Sequence, residues 1–186
     1  MQKSNLNIPL ANNHISVDWV VVGFDGDRLK VLLIKRVGDD EGLAFHDMKL
    51  PGSLIYKDED LDGAAMRVLS ELTGLKNVDL IQFKAFGSKN RTSNPKDVRW
   101  LERAQKAQVE SIVTIAYLAL VKIDRALSRN LETFQADWVA LDDIQDLAFD
   151  HNLIIKEALV YIRQYVESNP AALFELLPRK FTASQL

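Results

Sequence analysis

Residues 50–75, LPGSLIYKDEDLDGAAMRVLSELTGL, contain a turn, an acidic loop and a helix signal in close succession. Pro51-Gly52 interrupts an extended segment, and an acidic stretch follows at 58–60. From residue 61 to residue 72 apolar side chains recur at helical spacing, and Gly74 stands just past the end, where glycine commonly caps a helix. The spacing therefore predicts an amphipathic helix over 61–72 with one apolar face. The apolar positions are Leu61, Ala65, Val68, Leu69 and Leu72.

Two apolar segments before this stretch predict a β-hairpin. Residues 15–24 are β-branched and mostly apolar, which is typical of a strand that becomes buried on both faces. Asp25-Gly26 follows as a turn, and residues 29–34 form the second strand of the hairpin. Residues 37–47 show no sustained period, so we predict a loop there.

The segments after the helix predict three more strands and a second long helix. β-Branched and aromatic residues are dense in 78–86, 112–123 and 138–141, which favours strands, and Asp142-Asp143 opens a helical turn. Asp150 can cap an amphipathic helix from about residue 152 to about residue 166, which stops before Pro170. This order of elements favours an α/β fold in which helices lie on both sides of a mixed sheet.

Composition narrows the class of protein. The chain has 186 residues, 47% of them apolar, which fits one domain with a sizeable core. It has no cysteine, which excludes disulfides, thiolate zinc sites and a cysteine nucleophile and fits a reducing compartment. No apolar leader follows Met1, and no stretch approaches ~18 unbroken apolar residues. A net charge of −3 gives no long-range attraction for nucleic acid. We expect a cytoplasmic protein with no membrane contact.

The spacing of residues 53–75 resembles the Nudix box. That motif reads Gly, five residues, Glu, seven residues, then Arg-Glu-apolar-any-Glu-Glu-any-Gly-apolar. Ser53, Glu59 and Arg67 reproduce both gaps without insertion, and Glu71 and Gly74 follow in register. The resemblance implies a Nudix-type α/β/α sandwich, in which Glu59 and Arg67 form a brace between loop and helix. A plainer alternative is core packing with one ordinary Arg67–Glu71 ion pair.

Three positions depart from the family pattern: Ser53 replaces a glycine, and Val68 and Leu72 replace two glutamates. Residues 68, 71 and 72 share one helix face, where three carboxylates can converge on divalent ions. Mg²⁺ prefers oxygen ligands, and metal-assisted attack on a diphosphate needs anionic charge to hold the ion. Only Glu71 remains of the three, as a weak metal candidate. We therefore expect no metal cofactor, no confident catalytic residue, and lost or very weak hydrolysis.

Beyond the box, the chain resembles the Nudix-related transcriptional regulators. These are two-domain bacterial proteins with a Nudix-like sensor and a C-terminal winged helix-turn-helix, and members sense ADP-ribose or a sugar to control genes of NAD metabolism or sugar use. The resemblance implies a small-molecule effector, a homodimer, and DNA contact only through a C-terminal domain. The segments that carry it are Ala85-Phe86-Gly87, Arg91, residues 113–120, Trp138, residues 148–151 and residues 176–182.

The same resemblance divides the chain into three parts. Residues 1–14 are a polar tail, residues 15–168 a Nudix-like domain, and residues 169–186 a linker with the start of a truncated winged helix. Thr182 is placed like a helix cap where the chain stops, so we expect a sensor fragment or a form without the DNA-binding domain.

A ligand is expected on the concave sheet face beside the box helix. Arg36, Lys49 and Arg91 are candidate phosphate or ribose contacts, since a guanidinium donates two hydrogen bonds at once to phosphate oxygens. Each candidate has a plainer alternative: a solvated arginine at a strand end, an aromatic anchor for a loop, or a core tyrosine. Candidates for stacking on a base or sugar are Phe45, Phe86 and Tyr117.

Residues 88–108 depart most from the family, whose connection here is short. This basic insertion has a local balance of +4, and its amphipathic stretch 98–107 predicts a short helix. It can shield a pocket, contact DNA phosphates, or pack on a second subunit through Trp100 and Leu101. The plainer alternative is a solvated amphipathic helix that rests on the body of the domain.

Two classes of function follow from these observations. The first is a catalytically silent sensor whose ligand acts through an attached winged helix, and it rests on Val68 and Leu72. The second is a Mg²⁺-dependent Nudix pyrophosphohydrolase acting on ADP-ribose or a related nucleoside diphosphate derivative. In that case Glu110 or Glu132 would assist the residual box acids. The three histidines share no metal-ligand spacing, so a zinc site is not expected.

Overall fold

The computed structural model describes residues 11–105, 108–109, 111–129 and 131–173. Within these ranges seven strands form one sheet, and helices pack on both of its faces. The strands are β1 (Ala11–Phe24), β2 (Leu29–Asp40), β3 (Leu43–Lys49), β4 (Gly52–Tyr56), β5 (Ile81–Phe86), β6 (Val113–Lys122) and β7 (Ala136–Ala140). The helices are α1 (Leu61–Thr73), α2 (Pro95–Gln105), α3 (Arg125–Ser128) and α4 (His151–Ser168), with short 3₁₀ turns at Leu131–Phe134, Leu141–Asp143 and Pro170–Ala172.

The sheet is mixed, as the sequence predicts. Its strands lie in the order β3-β2-β1-β6-β5, with β4 paired to β1 and β7 paired to β2. β1 and β6 are parallel over their length, whereas the other strand pairs are antiparallel. α1 packs against β1 and β4, and α4 packs against β1 and β5. The predicted α/β/α sandwich is therefore confirmed.

Alternation along β1 supplies two hydrophobic cores. Trp19 belongs to the core under α1, where its indole N–H donates to the Ala65 carbonyl at 2.8 Å. Val20 and Val22 point the other way, into the core that includes Ile154 of α4. The predicted burial of this strand on both faces is confirmed, because successive residues from Val20 to Val22 are almost fully enclosed.

α1 matches the prediction at both ends. The Asp60 carboxylate accepts the Gly63 N–H at 2.7 Å, which satisfies one of the free donors of the first turn. Gly74 adopts a left-handed conformation with φ of 72°, and its N–H donates to the Ser70 carbonyl at 2.9 Å. The glycine signal therefore marks the true end of the helix.

The prediction of a loop at 37–47 is wrong. These residues complete β2 and form most of β3, in an antiparallel register that runs out to Asp40↔Leu43. Glu41 and Gly42 make the two-residue turn, with φ values of 54° and 86°, as a primed hairpin turn requires. The strands were missed because their polar residues give no hydrophobic period; α2 packs on β2 and covers this hairpin from outside the local sequence.

Other boundaries also shift. β1 begins at Ala11, so residues 11–14 of the expected tail belong to a strand, and β5 begins at Ile81. The helix predicted in the basic insertion is present as α2, starting three residues early. Residues 1–10 and 174–186, including the expected start of a winged helix, lie outside the described residues. Across the described part of the chain, no helix is both long and apolar enough to cross a bilayer.

Candidate functional site

A cleft opens between the box loop (here residues 50–60, which include the short strand β4), the basic insertion and the start of α4. The space between its lining residues is about 400 Å³, a value that counts open solvent as well as the cleft itself. Four buried ionisable residues form its polar floor: Asp18, Lys49, Arg91 and His151. Three half-exposed apolar residues form its rim: Trp100, Leu101 and Phe149. Residues 52–54 of the box loop close one side, so the cleft lies beside the segment that decides the fold.

Asp18 is the central acid of the polar floor. It follows Ser16 at an alternate position of β1, and its carboxylate accepts the Thr114 hydroxyl from the parallel strand β6 at 2.6 Å. A Cβ on Gly52 would lie 1.7 Å from the Asp18 carboxylate, so only glycine fits at that point of the box loop. The close approach of this loop to β1 therefore requires the glycine of the Pro51-Gly52 pair.

Lys49 is buried beside that loop. Its ammonium donates to the backbone carbonyls of Leu50 at 3.1 Å and Gly52 at 2.9 Å. Burial lowers the pKa of Lys49 to about 8; Asp18 opposes this shift, while the positive charge of Arg36 adds to it. Lys49 is therefore a cation at neutral pH that holds the box loop in place and faces the cleft.

His151 is neutral and oriented by the backbone. The Leu50 N–H donates to its Nδ1 at 2.9 Å, which places the ring proton on Nε2, 3.6 Å from the Asp18 carboxylate. Burial lowers the pKa of His151 to about 4, and Asp18 offsets only part of that shift. His151 therefore acts as a hydrogen-bonding group, and its partner is the distant Leu50 N–H instead of a local group at the start of α4.

Arg91 pairs with acids of the protein itself. Its guanidinium contacts Asp150 at 3.1 Å and Asp18 at 3.6 Å, and all three side chains are buried or nearly so. Asp150 is engaged here and makes no side-chain cap on α4, contrary to the prediction. Asp150 lies beneath the polar floor as a second carboxylate beside Asp18, so the two cations Lys49 and Arg91 face two carboxylates. With Asp150 counted as part of it, the polar floor carries no net charge: it can bind hydroxyl groups and polar atoms, but it provides no excess positive charge for phosphate.

Arg36 does not meet the expectation of a free phosphate contact. Its side chain is fully buried, with two 2.6 Å hydrogen bonds to Asp47 and one of 2.6 Å to Asp97. These partners raise the pKa of Arg36 although burial acts against them. Phe45, a predicted stacking residue, instead lies 5.1 Å from the guanidinium, as an aromatic anchor for the hairpin. The plainer alternative of an aromatic anchor therefore describes Phe45. Arg36 is the centre of a buried ion network with Asp47 and Asp97.

Tyr117 lies on the opposite face of the sheet from the cleft. Its ring packs 5.4 Å from that of Trp19 under α1, and its hydroxyl donates to Asp62 at 2.8 Å. Burial and Asp62 raise its pKa. The predicted stacking role is therefore replaced by a core role, because Tyr117 and Thr114, whose hydroxyl bonds Asp18 of the polar floor, differ by an odd number of positions along β6. Phe86 is buried in the core that contains Ile154.

The Glu59–Arg67 brace is present. Arg67 Nη2 donates to Glu59 at 2.9 Å and to the Leu54 carbonyl at 3.3 Å. The Glu59 carboxylate also accepts the Tyr56 N–H at 2.9 Å, and the hydrogen bonds from Arg67 lower its pKa. The guanidinium lies 3.9 Å from the Tyr56 ring centroid. The box loop is thereby fastened to α1, independently of any metal.

The face of helix α1 that carries the box acids in the family is largely apolar in this chain. Val68 is 0% exposed within the core under α1, and Leu72 packs against the same core. Glu71 is 56% exposed and receives Arg67 Nη1 at 3.0 Å. Within the described ranges no three acidic or histidine side chains converge as a metal site. Because both Glu59 oxygens already accept hydrogen bonds, the residues present do not fit a cluster of Mg²⁺ ions.

The basic insertion borders the cleft, and three of its cationic side chains form ion pairs or hydrogen bonds with the β2–β3 hairpin. Lys96 pairs with Asp47 at 2.7 Å, Arg99 hydrogen-bonds Asp40 at 2.7 Å, and Arg103 donates to the Asp39 carbonyl at 2.6 Å. These contacts match the plainer alternative of a helix that rests on the body of the domain, and the same helix also borders the cleft through Trp100 and Leu101.

Sequence reasoning missed Asp18, Asp97 and Phe149 as residues of this region. Asp18 had a usable signal, since Ser16 and Asp18 are two polar residues at alternate positions of an otherwise buried strand. Asp97 and Phe149 had none, because their partners lie 61 and 52 positions away along the chain.

Comparisons with known proteins place the chain in a family. The model of the NUDIX domain matches residues 12–159, and no curated protein sequence matches the chain. NrtR of Shewanella oneidensis, in its complex with a 27mer DNA, is 26% identical at a TM-score of 0.63, over 81% of this chain and 62% of that one. Its NUDIX domain complexed with ADP ribose is 24% identical at 0.58, over 87% and 94%.

A mutT/nudix family protein from Listeria innocua is 22% identical at a TM-score of 0.65, over 88% of this chain and 100% of that one. The likenesses at 24% and 22% show the shared fold. The chain spans less than two thirds of the length of NrtR. Because the family model covers well over half of its residues, this chain belongs to the NUDIX domain family.

Proposed function

We propose that this chain is a ligand-sensing Nudix domain that binds an ADP-ribose-like nucleotide or a sugar in the cleft without metal-dependent turnover. In this proposal it is the effector-binding part of a bacterial transcriptional regulator. A twofold dimer and a C-terminal winged helix that contacts DNA belong to the same proposal.

The burial of Val68 carries the proposal. At a position where the Nudix box has a glutamate, Val68 is enclosed in the core, and Leu72 packs beside it. A single exposed carboxylate, Glu71, remains on that face. One carboxylate is too little anionic charge to hold several cations beside a diphosphate. A sensor benefits from this loss, because an effector that is hydrolysed no longer reports its own concentration.

The cleft provides the binding half of the proposal. Its polar floor is preorganised by hydrogen bonds within the protein, and its rim is aromatic and partly open. Convergent polar groups beneath aromatic side chains are typical of small-molecule sites. Neutral hydroxyl groups suit the charge-balanced floor, which favours a ribose or another sugar as the part of the ligand that enters deepest.

The relatives support a regulator without deciding between regulator and hydrolase. NrtR of Shewanella oneidensis is known in complex with DNA, and its NUDIX domain in complex with ADP ribose. The Listeria protein is named for the MutT/Nudix family and is structurally as similar. What separates the two classes for this chain is the α1 face, where the hydrolase alternative would need carboxylates that the described residues do not bring together.

Calorimetric titration with ADP-ribose, and separately with D-ribose and L-arabinose, tests the proposal. We expect one of these ligands to bind with the same Kd in EDTA and in Mg²⁺, and we expect Glu71→Gln to leave that Kd unchanged. Binding that requires Mg²⁺, or that is lost in Glu71→Gln, would support the hydrolase. The absence of binding by all three ligands would reject the proposed ligand class.

A further inference from the structure

The basic insertion presents a single aromatic ring to the cleft from α2. Trp100 lies on the rim, 5.2 Å from the Arg36 guanidinium and 5.9 Å from the Lys49 ammonium, measured to a ring centroid. Both cations are buried, whereas Trp100 keeps part of its surface open to solvent. Cation–π contacts on this scale hold the indole against these two buried cations. The ring is therefore held in place at the rim, and part of its surface stays accessible.

One buried carboxylate sets the position of this ring. Asp97 lies one helical turn before Trp100, and its two oxygens accept hydrogen bonds from Arg36 Nη2 at 2.6 Å and from the Phe149 N–H at 2.9 Å. Phe149 is the other aromatic residue of the rim, and its ring lies 5.5 Å from the Arg36 guanidinium. Asp97 thus ties together α2, β2 and the turn before α4.

The surrounding contacts hold α2 as one body. Lys96, Arg99 and Arg103 fasten it to the β2–β3 hairpin through three separate acceptors. Because these three cations are paired with the hairpin, the part of α2 that lines the cleft is apolar: Trp100 and the adjoining Leu101. Since the polar floor has no net charge, it does not select a ligand by charge. We therefore expect the side chains of the rim to discriminate between ligands.

We propose that Trp100 is the specificity-determining residue of the cleft, that it selects ligands carrying a planar nucleobase, and that Asp97 is its positioning residue. This inference rests on the proposed function and adds the part of the ligand that is recognised. Stacking of a base on an aromatic side chain contributes about 1–3 kcal/mol, which corresponds to roughly 5- to 150-fold in affinity. The polar floor then receives the ribose, and the base lies at the rim.

Titrations of three variants with ADP-ribose and with ribose 5-phosphate, which lacks the base, test the role of Trp100. Trp100→Ala should weaken ADP-ribose binding by roughly 5- to 150-fold while changing ribose 5-phosphate binding little. Trp100→Phe should keep most of the affinity, because phenylalanine still stacks. Ala104→Ser, at an exposed position of the same helix, is the matched control and should bind like the wild type.

Tryptophan fluorescence gives a second readout that a merely structural role would not move. Saturating ADP-ribose should change the emission of the wild type and leave that of Trp100→Phe unchanged, although this variant still binds by calorimetry. Trp19 is fully buried under α1, and Trp138 packs against the same core, so neither should respond. A ligand-dependent change that persists in Trp100→Phe would overturn the assignment.

Asp97 is tested by a conservative pair. Asp97→Asn keeps an oxygen for the Phe149 N–H, so it should retain part of the preference for ADP-ribose over ribose 5-phosphate. Asp97→Ala should lose that preference although Trp100 is present. Equal preference in wild type and Asp97→Ala would remove Asp97 from the proposal, and Trp100→Ala decides the rest if Asp97→Ala does not fold.

The failures of the two proposals are distinguishable. If the folded wild type binds no ADP-ribose, the nucleotide form of the proposed function fails, and the inference fails with it. If it binds ADP-ribose and Trp100→Ala binds equally well, only the role of Trp100 is wrong. If the wild type binds D-ribose or L-arabinose and shows no preference for a base-bearing ligand, the cleft recognises a sugar alone. The inference that it recognises a base is then wrong.

Discussion

The two faces of the sheet differ in the side chains that they bury. On the α1 face, Val68 and Leu72 join Trp19 and Tyr117 in a core, and the surface that holds metal-binding acids in a Nudix box is mostly enclosed. On the α4 face, Asp18, Lys49, Arg91 and His151 are buried and polar beneath a cleft. Because alternate residues of the same strands supply the two faces, an apolar box face and a polar cleft can occur together in one fold.

The cleft face depends most on Arg36. Arg36→Ala leaves Asp47 and Asp97 without their main partner in a buried site, and removing one member of a buried ion network costs about 3–5 kcal/mol. Urea unfolding should show a loss of that order. Arg28→Ala, which removes an exposed pair with Asp143, is the control and should change the free energy of unfolding by less than about 1 kcal/mol. Similar losses in both variants would contradict the central place of Arg36.

The α1 face should reject the acid that the family carries there. Val68→Glu places a carboxyl group among apolar side chains with no partner, so we expect a loss of at least about 2 kcal/mol in the free energy of unfolding. Leu72→Glu, at a half-buried position, should cost less. Chemical denaturation of the two variants measures the difference. A Val68→Glu protein as stable as the wild type would show that this face is an open surface after all.

The brace should matter for stability where the residual box acid does not. Arg67→Ala removes the hydrogen bonds to Glu59 and Leu54 and should cost about 1.5–3 kcal/mol, the range for hydrogen bonds to charged groups. Glu71→Ala removes only an exposed contact between residues four apart on the helix, worth about 0.2–0.5 kcal/mol. Thermal and urea unfolding of both variants provide the comparison; a larger effect of Glu71→Ala would mean that Glu71 has an unseen partner.

His151 gives the cleft face a pH dependence. Burial lowers its pKa to about 4 in the folded protein, from the ordinary value of 6.5 for histidine. Between these values the unfolded chain binds a proton that the folded chain does not, so the free energy of unfolding falls as the pH drops through this window. The wild type should fall more steeply than His151→Asn, by up to about 1.4 kcal/mol per pH unit for one proton. Parallel curves from pH 6.5 to 4.5 would contradict the burial of a neutral His151.

Local signals in the sequence predicted much of the α1 face. The helical period of the apolar residues, the turn at Pro51-Gly52 and the glycine after the helix are all contained in one short stretch, and the structure matches them. The resemblance to the Nudix box likewise implied the Glu59–Arg67 brace, which is present. Each of these features depends on residues at most 14 positions apart, where periodicity and capping are informative.

The cleft face depends on distant partners and was predicted less well. The ion network of Arg36 joins residues 11 and 61 positions apart, and no sequence period marks it. The sequence predicts a loop over residues 37–47, the outer part of the β2–β3 hairpin, because the partners of its charged residues lie on α2, far along the chain. Arg36 and Arg91 were predicted as phosphate or ribose contacts, whereas their guanidinium groups pair with carboxylates of the protein that only the fold brings near them.

The measurement that tests the division of the two faces most directly is incubation of the purified protein with ADP-ribose and Mn²⁺ or Mg²⁺, followed by chromatography of the products. The enclosed α1 face predicts that ADP-ribose is recovered intact, with AMP and ribose 5-phosphate at the level of a protein-free sample. Metal-dependent release of AMP at rates on the order of 1 s⁻¹ or more would contradict it, since that rate is ordinary for an enzyme.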